Sequence, residues 1–98
     1  MKTHELTNVQ LDWAVAQCEG DEPIKPGGTG LSYSSDWLVG GPIIEREKIE
    51  VFHESNGWGA LINDNFEFNC CVTPLFAAMS CYVASKLGYD IWIPEELT

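Results

Sequence analysis

The chain has 98 residues, 45% of them hydrophobic and 11% aromatic, which suits one small core and predicts a single domain over 1–98. Its 15 Asp and Glu against 5 Lys and Arg leave a formal net charge of -10, which repels a phosphate backbone and excludes direct nucleic-acid binding, while leaving room for a carboxylate-rich mimic of nucleic acid or a merely solubilising surface. No run approaches the ~20 apolar residues that cross a bilayer, and "MKTHELTNVQLDWAVAQ" lacks the apolar segment of a signal peptide, so no membrane partner and a cytoplasmic protein are expected.

In "ELTNVQLDWAVAQCEG", Thr7 is placed to cap a first helix, Gly20 to stop it, and Leu6, Val9, Trp13 and Ala16 to form its apolar stripe. Leu11 and Val15 lie off that stripe, which predicts burial on more than one side. The segment 21–35 follows with prolines, glycines and small polar residues, the composition of a long irregular loop. In "SDWLVGGPIIERE" the Gly40-Gly41 pair reads as a turn, and Pro42 as the first residue of a short helix of one or two turns.

"KIEVFHESNGWGALI" alternates Ile49, Val51 and His53 against Glu50, Phe52 and Glu54, then reverses at Asn56-Gly57 into a return strand with Trp58, Ala60 and Ile62 on one face. "NDNFEFN" is either a further short strand or an excursion. The clearest helix is capped by Thr73, carries Pro74 at its first position and stops at Gly88, with Leu75, Met79, Tyr82, Val83 and Leu87 as its stripe. Its other residues (Ala77, Ala78, Ser80, Cys81, Ala84 and Ser85) are small, so a sheet or a second subunit can approach closely. Finally "YDIWIPEEL" alternates as a strand that Pro94 restricts to an edge. The fold class expected is α+β: a small antiparallel sheet of three to four strands packed by two main helices, with one long irregular loop.

A domain of this length buries only roughly 60–68% of its unfolded surface. Together with four tryptophans and the small-residue helix face, that predicts a homo-oligomer. Cys18, Cys70, Cys71 and Cys81 contain no C-x-x-C spacing, and His4 and His53 lie in unrelated segments. Reduced thiols, no metal site and no cofactor are therefore expected. His53 with a thiol, or Asp36 with Glu45, has no spacing that favours catalysis, so no catalytic residue is assigned.

The stretch around Trp37 carries the chemistry best suited to a ligand. Unpaired amides at a helix start favour an anion, and Gly40 and Gly41 let it approach the backbone. Tyr33 and Trp37 offer stacking surfaces, Ser34, Ser35 and Asp36 hydrogen bonds, and Arg46 a bidentate clamp. The plainer alternative is a turn with Trp37 in the core and Arg46 paired to Glu45, Glu50 or Asp36. No G-x-x-x-x-G-K-[ST] phosphate loop is present.

"LDWAVA", "YSSDWLVGGPIIERE", "GWGA", "TPLFAAM", "CYVASKLG" and "IWIPEEL", in this order along almost the whole chain, resemble the NinX-like family of small proteins of lambdoid phages and prophages. The chain departs from the family at "NDNFEFNCC", where a shorter glycine-containing link is usual, so the resemblance gives the Cys70-Cys71 pair no role. It implies a phage accessory protein with a host-directed task rather than a housekeeping enzyme, and it carries over no catalytic residues. Two functions follow as expectations. One is sequestration of a small anionic, nucleotide-like ligand by Tyr33, Ser35, Asp36, Trp37, Gly40, Gly41 and Arg46 to counter a host defence. The other is docking of an acidic face, as inhibitor or nucleic-acid mimic, on a basic host or defence protein. A carboxylate stripe favours the second, and Arg46, Lys25 or Lys48 converging near Trp37 favours the first.

Overall fold

Thr7 and Gln10 exchange side-chain hydrogen bonds with each other's backbone amides, at 3.3 and 2.9 Å, and so open helix α1, Asn8–Glu19. Gly20 closes it in the left-handed region at φ 74. The structure, a computed structural model, describes residues 1–20 and 31–97, so most of the predicted 21–35 loop lies outside the described residues. Leu6 and Ala16 of the expected α1 stripe are buried and Trp13 packs on the core, Leu11 and Val15 are fully enclosed as their off-stripe positions implied, and only Val9 departs, at 57% exposed. Leu6 is extended and precedes the cap, at φ -70 and ψ 141.

The second helix, α2, runs Trp37–Glu47 and contains Gly40, Gly41 and Pro42 in its interior. This corrects both the predicted turn and the predicted start at Pro42. Asp36 is the N-cap, its carboxylate accepting from the Leu38 amide at 3.0 Å. Proline inside a helix removes one donor, here the partner of the Leu38 carbonyl. Leu38 is 81% exposed, so water can serve that carbonyl. Gly40 is required for packing rather than for turning: a Cβ there would overlap the Tyr33 carbonyl and lie 2.7 Å from Leu75 Cδ1.

Strands β1 (Glu50–Glu54), β2 (Gly57–Ile62) and β3 (Phe66–Cys71) form an antiparallel sheet in the order β1-β2-β3. The first reversal pairs Glu54 with Gly57 across Ser55 and Asn56. Of the expected Asn56-Gly57 pair only Gly57 takes a positive φ, of 142. A Cβ at Gly57 would lie 2.6 Å from the Cys71 carbonyl oxygen, so the glycine also admits β3. The second reversal has Asn63 and Asp64 at φ 54 and 59, with the Asn65 amide donating to the Ile62 carbonyl at 3.0 Å. That tight turn makes "FEFNCC" the third strand. A bulge follows, since Trp58 pairs with Cys71 but Ala60 with Phe68, and Cys70 sits at φ 61.

Helix α3, Pro74–Leu87, is capped by the Thr73 hydroxyl, which accepts from the Phe76 amide at 3.1 Å. It packs on all three strands, on α1 and on α2. Of its 14 residues nine are buried, including Ala77, Ala78, Ser80, Cys81 and Ala84. The small residues predicted to admit a sheet or a second subunit thus receive the chain's own sheet and helices. The Cys81 thiol donates to the carbonyls of Ala60 and Phe66 at 3.0 and 3.2 Å, and burial pushes its pKa up to about 12.

The expected final strand is not part of the sheet. Residues 89–93 make a single antiparallel bridge, Asp90 with Lys2. The Thr3 amide donates to the Tyr89 carbonyl at 2.8 Å and the Ile91 amide to the Met1 carbonyl at 2.9 Å. The N-terminal residues take the hydrogen bonds that a sheet neighbour would otherwise supply, while Ile91 and Ile93 plug the core. The architecture is α+β, with a three-stranded antiparallel sheet and three α-helices where two main ones were expected.

Met79 is completely enclosed at the centre of α3. Met79→Ala is expected to cost ~2–5 kcal/mol in chemical denaturation. The two glycines of α2 should respond oppositely in thermal melting. Gly40→Ala lowers Tm through its clash with the Tyr33 backbone, whereas at Gly41 a Cβ meets Trp37 Cε3 at an ordinary 3.7 Å. Gly41→Ala is therefore expected to gain up to ~1 kcal/mol of helix propensity.

Candidate functional site

The residues expected to bind an anion are separated by the fold rather than gathered. Tyr33 is buried in the core, while Ser35 and Asp36 are exposed beside it in sequence. Ser34 fixes this segment to α1: its amide donates to Asp12 Oδ1 at 2.7 Å and its hydroxyl accepts from Asn8 Nδ2 at 2.9 Å. Desolvation raises the Asp12 pKa, against the opposing hydrogen bonds from Ser34. Trp37 is 54% exposed, so it is not the core plug of the plainer reading. Gly40 is buried against Tyr33 and Leu75, where its backbone faces protein rather than an open site. Asp36 occupies the amide end of α2 with its own carboxylate.

Arg46 lies at the opposite end of α2 from Trp37 and has protein partners on every nitrogen. Its Nη1 and Nη2 donate to the two carboxylate oxygens of Glu19 at 3.0 and 2.6 Å, Nη2 also to the Tyr82 hydroxyl at 3.1 Å, and Nε to Glu47 at 2.8 Å. Neither Glu45, Glu50 nor Asp36, the neighbours expected for it, is the partner. One partner, Glu47, is the next residue in sequence, and the other carboxylate, Glu19, arrives because the fold brings the end of α1 against the end of α2. The Tyr82 hydroxyl donates to Glu19 at 2.5 Å, and Lys86 Nζ approaches Glu47 at 3.9 Å. Arg46 holds the Glu19 carboxyl below its usual range by hydrogen bonding, opposed by desolvation and aided by Tyr82. Burial, and then the bond to Glu19, pushes the Tyr82 hydroxyl well above its ordinary value. Neighbouring Cys18 is driven up to about 11, chiefly by desolvation and then by the Glu19 charge, which makes it a poor nucleophile.

Among the described residues, two open surfaces stand elsewhere. Ala60, Ile62, Phe68 and Val51 face α3 and the core. The alternation of the strands then puts Glu50, Phe52 and Glu54 of β1, Leu61 of β2 and Glu67 of β3 on the other face. Glu50, Leu61 and Glu67 are in register across the three strands. Phe52 and Glu54 lean over Gly59, where a Cβ would lie 2.6 Å from Phe52 Cζ and 2.7 Å from Glu54 Oε1. That oxygen is enclosed and has no donor among the described residues. Phe52 and Leu61 remain half-buried, and none of the described helices is seated on them. The alternation of Glu50 and Glu54 with Phe52 was legible in the sequence. Glu67 was not, because β3 was only one of two readings for its segment.

The second surface is a groove of about 330 Å³ lined by Trp13, Gln17, Leu87, Asp90, Ile91 and Trp92. The rings of Trp13 and Trp92 meet edge to face, 5.9 Å apart. No local motif announces this groove, since its walls come from α1, the end of α3 and the C-terminal segment.

The Glu19–Arg46 pair makes a test of the first arrangement. Arg46→Ala is expected to lower stability by about 1–2 kcal/mol in denaturant titration, a value discounted because the arginine is half exposed. Glu19 has a lowered folded-state pKa. Its contribution is therefore complete above the unfolded value of ~4.3 and is lost as pH falls through the folded one. The Tm difference between wild type and Glu19→Gln should be present at pH 7 and shrink toward zero at acid pH. A difference unchanged at pH ~2 would remove the ion pair from the account.

A comparison with curated proteins returns no match. A protein-family model described as bacteriophage P22 NinX matches residues 31–86, from the Ser34 anchor through α2, the whole sheet and nearly all of α3. With more than half of its length covered, the chain belongs to the bacteriophage P22 NinX family.

Proposed function

We propose that this phage protein is a non-enzymatic accessory factor that acts in the host cytoplasm by docking its acidic sheet face on a basic host or defence protein. The observation that carries the reading is the open face of the sheet, where Glu50, Glu54 and Glu67 surround the half-buried Phe52 and Leu61. Apolar groups at the centre of a patch exclude water, and charges around them steer and orient an oppositely charged partner. A net charge of -10 attracts such a partner at long range.

The competing reading, capture of a small nucleotide-like anion near Trp37, has the exposed indole in its favour, but the Asp36 carboxylate already occupies the amide end of α2. Its principal cation, Arg46, is bound to Glu19, Glu47 and Tyr82, and Lys25 lies outside the described residues. Protein docking is accordingly the reading the geometry favours. No residue is assigned to catalysis or to a cofactor. Exposed Trp37 and Trp92 also support self-association into a homo-oligomer.

Native mass spectrometry of protein recovered from phage-infected cells separates these readings. The expected result is a retained basic protein, a binding constant weakened about 10-fold or more by Glu50→Gln with Glu67→Gln, and a complex that dissociates as salt rises. A retained nucleotide-sized mass, with the double variant fully active, overturns docking in favour of the anion reading. The same spectra report subunit number, with a homodimer expected.

A further inference from the structure

We infer that the free edge of β1 takes up an extended basic segment of a partner protein as a fourth strand of the sheet. The inference rests on the docking reading for the partner being a basic protein, and it adds how that partner is held. β1 is an outer strand of the sheet. Its tight reversal over Ser55 and Asn56 makes Glu54 and Gly57 a hydrogen-bonded pair. Such pairs alternate with open ones along an antiparallel ladder, so Phe52 with Gly59 and Glu50 with Leu61 are hydrogen-bonded as well. The amides and carbonyls of Val51 and His53 therefore point away from β2. Among the described residues none of these groups has a hydrogen-bond partner. The Ile49 amide before them donates to the Ile44 carbonyl at 3.0 Å, which marks where the open edge begins.

Unpaired backbone groups at a sheet edge select an extended chain, and the side chains beside them select its composition. On the outer face β1 presents Glu50, Phe52 and Glu54 at alternate positions. A strand laid antiparallel on this edge meets them with its own alternate residues. Lys or Arg opposite Glu50 and Glu54, with an apolar residue between them opposite Phe52, gives the pattern basic-x-apolar-x-basic. The net charge of -10 attracts such a segment from beyond contact. A second copy of this chain does not fit. The antiparallel self-pairing that uses every free amide and carbonyl is centred on Phe52, and it sets Glu50 of each copy opposite Glu54 of the other. Like charges placed directly opposite one another oppose that pairing. The far edge of the sheet is a poorer template, because the bulge at Cys70 interrupts β3 while β1 keeps an unbroken register.

The test adds the capped peptide Thr-Lys-Thr-Val-Thr-Lys-Thr to the full chain and follows the backbone amides by ¹⁵N-edited NMR and hydrogen exchange. Two analogues are the controls. One has both lysines replaced by glutamate, and the other is N-methylated at the threonines on either side of valine, whose amides face the Val51 and His53 carbonyls. Saturable shifts along β1 are expected, with slowed exchange at the Val51 and His53 amides. Affinity should fall about 10-fold or more for either analogue. Glu50→Gln should weaken the lysine peptide by about 2- to 5-fold with Tm unchanged, because Glu50 is exposed. Equal affinity of the N-methylated peptide overturns strand pairing while leaving attraction to the acidic face in place. Equal affinity of the glutamate peptide, protection confined to β3 or the helices, or no saturation overturns it too. The docking reading has its own test in the proteins retained from infected cells, so the two fail by separate measurements.

Discussion

Enclosure of α3 on both flanks is the constraint on which the rest of the structure depends. A helix that takes a sheet on one side and two helices on the others must be narrow, and Ala77, Ala78, Ser80, Cys81 and Ala84 make it so. Leu75, Met79, Tyr82 and Val83 then fill the spaces between its neighbours. The same closeness dictates glycine at position 40, where α2 meets Leu75 and the Tyr33 backbone. It also turns the Cys81 thiol into a donor for two sheet carbonyls instead of a reactive group. In a chain of 98 residues little apolar surface is left to waste, and one central helix lets every other element share a single core.

Electrostatics does a different task at the ends of the helices. Glu19 closes α1, Arg46 lies in the last turn of α2, and Tyr82 rises from α3 to meet both. A bidentate arginine between two helix ends fixes their relative direction through its planar geometry. Cations also suit helix C-termini, where Arg46 and Lys86 both sit. The arginine that looked most available for a ligand is therefore a fastening of the scaffold. Its neighbour Glu47 is bound to it as well and reaches toward Lys86.

With Arg46 and Lys86 so engaged, the outer sheet face stays acidic and the Trp13–Trp92 groove aromatic. The outer sheet face offers carboxylates around Phe52 and Leu61, and the groove at the other elements' junction offers two indoles beside Asp90. On the docking proposal, the sheet face would take a partner that brings positive charge and apolar stems together, as arginine and lysine do. The bulge at Cys70 and the glycine at position 57 twist the end of the sheet near Val72, which is itself exposed. Irregular edges of this kind discourage indiscriminate strand pairing.

The sequence by itself determined what depends on neighbours a few residues apart. Thr7 and Gly20 bounded α1, Thr73, Pro74 and Gly88 bounded α3, and the alternation from Ile49 to Glu54 marked the hairpin, because caps and periodicity act over one turn or one strand. The family was also legible, in motifs spread along the chain. Tertiary structure decided that α1 turns Val9 outward, although its place on the apolar stripe pointed inward. It decided that Gly40-Gly41-Pro42 is helical, because Asp36 caps one residue before Trp37 and α3 holds the glycine close. It decided that residues 89–93 pair with the N-terminus rather than the sheet. Finally it dispersed the candidate site: Tyr33 went to the core, Trp37 to the surface and Arg46 to Glu19, across 27 residues of sequence. Long-range pairings of this kind are chosen by the packing of whole elements, and no local pattern of residues encodes them.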